Sequence, residues 1–124
     1  MRPCVAVVDY GMGNVWSVIS ALRYLGATVE LVSDLKVLAK ADYIVLPGVG
    51  SFKKGMENLK KNSMDEVIRS AVIVNKAKIL GICLGMQLLG SQSTEGCETA
   101  GLGLVANRVE RFTTKELGQN KIPH

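Results

Sequence analysis

Ile79-Leu80-Gly81-Ile82-Cys83-Leu84-Gly85-Met86-Gln87-Leu88-Leu89 is the stretch that decides the fold. Ile79 to Ile82 reads as a short, wholly apolar strand, and helix-like spacing follows at once through Met86 to Leu89. A strand that turns straight into a helix across G-I-C-L-G has the layout of a nucleophile elbow, G-x-nucleophile-x-G, with cysteine in place of serine. Such a turn holds the nucleophile in a strained backbone conformation, and side chains at positions 81 and 85 would clash there. The following helix aims its N-terminal dipole at the sulfur, which favours the thiolate. It also leaves the backbone N–H of Leu84 free to donate to an oxyanion. Gln87 lies one helical turn beyond Cys83 and can reach the same pocket. The competing reading is a buried structural cysteine between two glycines selected for close packing.

Working outward, the same strand-then-helix alternation fills the chain. Cys4 to Val8, Thr28 to Val32 and Tyr43 to Leu46 are short β-branched or apolar runs. Between the first two, Val15, Val18, Ile19, Leu22 and Leu25 recur at amphipathic spacing, and Gly26 stops that helix. Two further helices are anchored by Phe52, Met56 and Leu59, and by Met64, Val67, Ile68, Ala71 and Val72. Ser63 and Glu66 are spaced as a capping box between them. After Gly96 the periodicity weakens. Leu104–Val105 and Val109–Phe112 read as short strands, and Lys115–Asn120 as a loop. Buried strands joined by helices imply an α/β, three-layer domain with a mostly parallel sheet and helices on both faces, functional at the carboxyl ends of the strands.

Two more glycine turns fall at those ends. Pro47-Gly48-Val49-Gly50-Ser51 follows the third strand, and its N–H groups are candidate oxyanion donors; an ordinary strand-to-helix turn is the alternative. Asp9-Tyr10-Gly11-Met12-Gly13-Asn14 follows the first strand and suggests a dinucleotide fingerprint, with Glu30 as its ribose acid. Position 16 should then be glycine and is Trp16, whose ring argues against that reading.

The totals exclude several classes. A chain of 124 residues, 48% hydrophobic and 21% charged, suits one packed domain rather than disorder. A net charge of +4 from scattered lysines, with 5% aromatic residues, fits solvated helix faces better than a nucleic-acid surface. No apolar run approaches the ~18 residues of a membrane span, and Met1-Arg2-Pro3 leading into a strand is not a signal peptide. The three cysteines, Cys4, Cys83 and Cys97, show no metal or disulfide spacing, which points to a reducing cytoplasm. Cys4 and Cys97 read as small apolar fillers, and Trp16 as helix-to-sheet packing or partner contact.

D-Y-G-M-G-N, L-P-G-V-G-S-F and G-I-C-L-G-M-Q, in this order, resemble the class I (triad-type) glutamine amidotransferases. Among them the pattern is similar to that of the glutaminase subunits of imidazole glycerol phosphate synthase, in histidine biosynthesis. The resemblance runs through to Lys121-Ile122-Pro123-His124. It implies a flavodoxin/Rossmann-like domain without cofactor or metal, in which Cys83 attacks the side-chain amide of glutamine, forms a glutamyl thioester and releases ammonia. It further implies that the Pro47–Gly50 strand, through Val49 and Gly50, forms an oxyanion hole with the N–H of Leu84 once a partner induces a backbone flip, and that Gly48 contacts the substrate. Gln87 and Glu95 match the positions that hold the two ends of the glutamine, and Asn14 and His124 match positions near the partner. That partner is a (β/α)₈ cyclase subunit, a heterodimer mate to which the ammonia passes.

The departure is at the far end. The family's catalytic His and Glu belong to a later H-x-E segment, and the only histidine here is His124. Residues 1–124 therefore read as the N-terminal part of a single domain, incomplete at its C-terminus and inactive alone, with an apolar sheet edge exposed. Three rivals stand beside this reading. An amidotransferase serving another acceptor, such as a surface sugar, would be told apart by genomic neighbours. A silent partner-binding fragment is favoured by the missing base and disfavoured by Gln87 and Glu95. A thiol hydrolase or redox protein would react with oxidants but ignore glutamine analogues.

Overall fold

Side-chain alternation along the strands sorts the apolar residues into two faces. In the computed structural model, which describes residues 4–93, 99–106 and 108–109, β1 spans Cys4–Val8, β2 Thr28–Val32, β3 Tyr43–Leu46 and β4 Lys78–Gly81. All pairings are parallel, in the order β2-β1-β3-β4. Ala6, Val8, Ile44 and Leu46 belong to one core cluster, while Val5, Val7 and Val45 belong to another. This is the period of two that the pleat imposes.

Helix α1 (Val15–Tyr24) covers the second face through Val18, Ile19 and Leu22. Helices α2 (Leu35–Ala39), α3 (Phe52–Lys61), α4 (Met64–Ile73) and α5 (Leu84–Leu88) cover the first. Leu38, Phe52, Leu59, Ile68 and Leu88 are fully buried there, each contributing about 1.5–3 kcal/mol of hydrophobic stabilisation. The result is the expected three-layer α/β arrangement with helices on both faces. A smaller sheet follows, ordered β6-β5-β7, from Gln92–Ser93 (β5), Thr99–Ala100 (β6) and Arg108–Val109 (β7).

The structure departs from the sequence reading in several places. Ser63 does not cap α4. Its φ of +59° and ψ of +17° put it in the left-handed region, its side chain makes no capping bond, and its N–H closes α3 on the Lys60 carbonyl. Only two residues separate α3 from α4, so the chain must reverse through Ser63, whereas an N-cap needs extended backbone. Leu104 and Val105 are not a strand. Both donate to the carbonyl of Leu89, which folds this segment back on the end of α5. Of the two readings of Trp16, helix-to-sheet packing fails, since 64% of its surface is exposed, while partner contact is untouched by this. Cys4 is exposed as well, and so is no apolar filler. Helix α2 was not read from the sequence. Asp34 starts it, its carboxylate accepting from the Lys36 N–H at 2.8 Å.

Helix α1 packs toward the β2 side of its face and leaves the β4 side open. Leu80, on this outer strand, is 56% exposed. It borders a shallow apolar cleft of about 210 Å³ with Val5, Leu22, Tyr43 and Val45.

Candidate active site at the strand-to-helix elbow

Cys83 sits between β4 and α5 with φ +54° and ψ −120°, a conformation that costs an ordinary L-residue about 1–3 kcal/mol. Its neighbours explain why the turn holds. A Cβ at Gly85 would run into the carbonyl of Leu46, on β3, and one at Gly81 would lie 2.6 Å from Met86 N and Cα. Gly85 is pressed against the end of β3 and Gly81 against the first turn of α5, so neither flanking position admits a side chain, as the G-x-C-x-G spacing leads one to expect. Leu84 and Leu88 bury themselves against α3, where Gly55 makes room for both. The sulfur side faces outward, and Cys83 is exposed. Helix α5 has five residues, a single turn and a half behind the cysteine.

The second glycine turn lies against this elbow. The Leu84 N–H donates to the Gly48 carbonyl at 3.1 Å, so the donor expected to be free is already occupied. Gly48 is buried, while Val49 is 66% exposed and Gly50 has φ +128°. The first glycine turn packs on the second. A Cβ at Gly13, whose φ is +98°, would meet Val49 N at 3.0 Å and Gly48 Cα at 3.1 Å. All three turns thus meet at the carboxyl end of the sheet.

Gln87 lies one turn into the helix, half-buried, with its N–H on the Cys83 carbonyl at 3.3 Å. Asn14 is exposed at the head of α1, next to Gly13. Glu95 and His124, together with Cys97, Glu110–Phe112 and the 115–120 segment, lie outside the described residues. Glu30 takes no part in the first turn: it pairs with Ala6 in the middle of β2 and does not line the cleft formed by Asp9, Tyr10, Gly11 and Ser33.

Two contributors were not visible in the sequence. The Tyr10 hydroxyl donates to the Pro47 carbonyl at 2.5 Å, and Asn58 Nδ2 donates to the Tyr10 carbonyl at 3.1 Å. Burial pushes the Tyr10 pKa up, so the phenol keeps its proton. Arg69, on α4, donates to the Leu102 carbonyl at 2.9 Å and pairs with the buried Asp65 at 3.4 Å, tying the segment after α5 to the domain.

This arrangement has clear relatives. A family model described as glutamine amidotransferase class-I matches residues 6–122. The chain belongs to that family. The amidotransferase is 47% identical over 122 residues to "Imidazole glycerol phosphate synthase subunit HisH" of Geobacillus kaustophilus, covering 97% of this chain and 57% of the relative. It is 44% identical over 120 residues to the protein of the same name from Acinetobacter baylyi, with the same coverage. The chain thus spans little more than half the length of these relatives. Among solved structures, one titled "Crystal structure of glutamine amidotransferase" superposes with a TM-score of 0.72 at 21% identity, over 86% of this chain and 56% of that one. At that identity the likeness speaks for the amidotransferase fold alone. Among the described residues, no helix is long and apolar enough to cross a membrane.

Proposed function

We propose that this amidotransferase chain supplies the nucleophile of a glutaminase that hydrolyses glutamine to glutamate and ammonia. The Cys83 thiolate attacks the side-chain amide carbon, and the resulting tetrahedral oxyanion collapses to a glutamyl thioester. The C–N bond breaks as the leaving nitrogen takes up a proton, and ammonia departs. Water then cleaves the thioester, giving glutamate and restoring the thiol. The observation that carries this reading is the strained backbone of Cys83 in a turn too tight for side chains on either flank.

The oxyanion needs donors, and Leu84 cannot serve while its N–H is held by Gly48. The turn is therefore in a resting state. Reversal of the Gly48–Val49 peptide would withdraw the carbonyl from Leu84 and bring the Val49 N–H to the vacated place. Glycine at position 48, whose ψ turns with that peptide, makes the rotation feasible, and a docked partner would drive it. Gln87 and Glu95 hold the two ends of the glutamine. Asn14 and His124 face the partner, a (β/α)₈ cyclase subunit that forms a heterodimer with the glutaminase and receives the ammonia. The relatives' printed name supports this assignment to imidazole glycerol phosphate synthesis. No histidine lies among the described residues, so the proton acceptor for Cys83 comes from elsewhere, and the described residues alone are inactive.

The test is glutamate release from glutamine by the 124-residue chain with the cyclase partner present and Cys83→Ala as control. Silence equal to the control fits a site that lacks its base, and adding the remaining length found in the relatives then restores Cys83-dependent release. Failure to restore it overturns the reading.

A further inference from the structure

Three successive carbonyls leave β3, and each meets a different donor. Leu46 accepts from the Ile82 N–H at 3.0 Å, Pro47 from the Tyr10 hydroxyl at 2.5 Å, and Gly48 from the Leu84 N–H at 3.1 Å. The first bond continues the pairing of β3 with β4 and cannot break without opening the sheet. The third is made by the elbow itself. The second is unlike either, because its donor is a side chain from the first glycine turn, 37 residues away.

We propose that Tyr10 is a positioning residue of the Pro47–Gly50 turn, pinning the Pro47 carbonyl so that the turn can reverse only at the Gly48–Val49 peptide. The inference rests on the glutaminase reading of the site. Its grounds are geometric. The Tyr10 ring is 4% exposed, and its hydroxyl occupies the place where a Gly48 side chain would project. Tyr10 is itself held, since its carbonyl accepts from Asn58 on α3. Pro47 adds a fixed φ and has no N–H to exchange between partners. Burial changes abruptly at the pinned point, Pro47 and Gly48 being buried and Val49 and Gly50 exposed. Tyr10 therefore marks the border between the fixed and the movable part of the turn. Without its hydroxyl, the Pro47 carbonyl is a buried acceptor with no donor. The peptide before Gly48 then becomes as free to rotate as the one after it.

The experiment compares the unaltered chain with Tyr10→Phe by amide hydrogen exchange, residue by residue. Exchange at the Leu84 N–H is expected to rise about tenfold more than at Ile44, a core amide reporting global opening. An equal rise at both sites would mean that Tyr10 acts only on overall stability, and an unchanged Leu84 that it does not hold the turn. Either result overturns the proposal. In the chain extended to its relatives' length, with the cyclase partner, Tyr10→Phe is expected to lower kcat about tenfold with KM within about twofold. A raised KM with kcat intact also overturns it. Absence of any glutamine hydrolysis in that unmutated protein defeats the glutaminase reading, while the exchange comparison still decides whether Tyr10 pins the turn.

Discussion

The Leu84 N–H and the Gly48 carbonyl lie 3.1 Å apart and are bonded across two different turns. Gly48 thereby occupies the backbone donor beside Cys83 with an acceptor from the neighbouring turn. The contact is also crowded. A Cβ at Gly48 would lie 3.2 Å from the Leu84 Cβ and would collide with the Tyr10 hydroxyl.

Gly48→Ala is therefore expected to destabilise the domain by about 1–3 kcal/mol through overpacking. Val49→Ala, at the exposed next position, should stay within about 0.5 kcal/mol. Urea unfolding of the two variants gives the comparison, and equal effects would contradict the packing described for the turn.

Cys83 carries a positive φ that glycine would adopt without strain. Replacing it with Gly should relieve that strain and with Ala should not, because alanine retains a Cβ at φ +54°. The glycine variant is expected to be the more stable of the two by about 1–3 kcal/mol. A midpoint no higher than that of the alanine variant would show that the elbow is unstrained.

Arg69 bonds the Leu102 carbonyl and pairs with Asp65, which is 7% exposed. Arg69→Ala leaves a buried carboxylate and a buried carbonyl without this partner. A loss of about 2–4 kcal/mol is expected, reduced from a fully buried pair because the arginine is partly exposed. Limited proteolysis should then cut within residues 99–106 first. Cleavage elsewhere first would mean that the arginine is not the clamp.

Leu80 presents an apolar side chain on the outer strand of the four-stranded sheet. Exposed edges of this kind invite association. Leu80→Lys should lower self-association measured by sedimentation, with stability changed by less than about 0.5 kcal/mol. Unchanged sedimentation would absolve this edge.

Tyr10 links stability to alkaline pH. Its pKa is raised in the folded state by burial, so above the unfolded value of about 10 the unfolded chain has released a proton that the folded chain retains. The sign makes folding weaker as pH rises past that value. Tyr10→Phe removes this contribution, and its stability should fall less steeply than that of the unaltered chain between pH about 9 and 11. Parallel slopes would mean that the phenol is not protected.

Strands β1, β2 and β3 start and stop where the apolar runs do, and Gly26 ends α1 with φ +95° just past its last turn. These features were legible because they depend on residues within one or two turns of each other. The fourth strand was read one residue late, since Lys78 pairs with Tyr43 although its side chain gives no strand signal. Short elements escaped for the same reason. Helix α2 buries only Leu38, and β5 and β6 have two residues each, too few for a period to register. The Ser63 capping box failed because the two-residue link between α3 and α4 puts Ser63 in the left-handed region, where its side chain cannot cap α4.

The candidate site divides in the same way. The alternation of the four long strands with α1, α3, α4 and α5, the elbow at Cys83 and the need for glycine at positions 81 and 85 were determined by the sequence, because periodicity and the sterics of a tight turn are properties of nearby residues. The tertiary structure alone decided what occupies the elbow's N–H and what steadies the second turn. Gly48 reaches Leu84, Tyr10 reaches Pro47, and Arg69 reaches Leu102. Each of these bonds joins residues more than thirty positions apart. Their donors and acceptors are common groups with no periodic signature, and they become partners only when packing of the sheet and its helices has excluded water from between them.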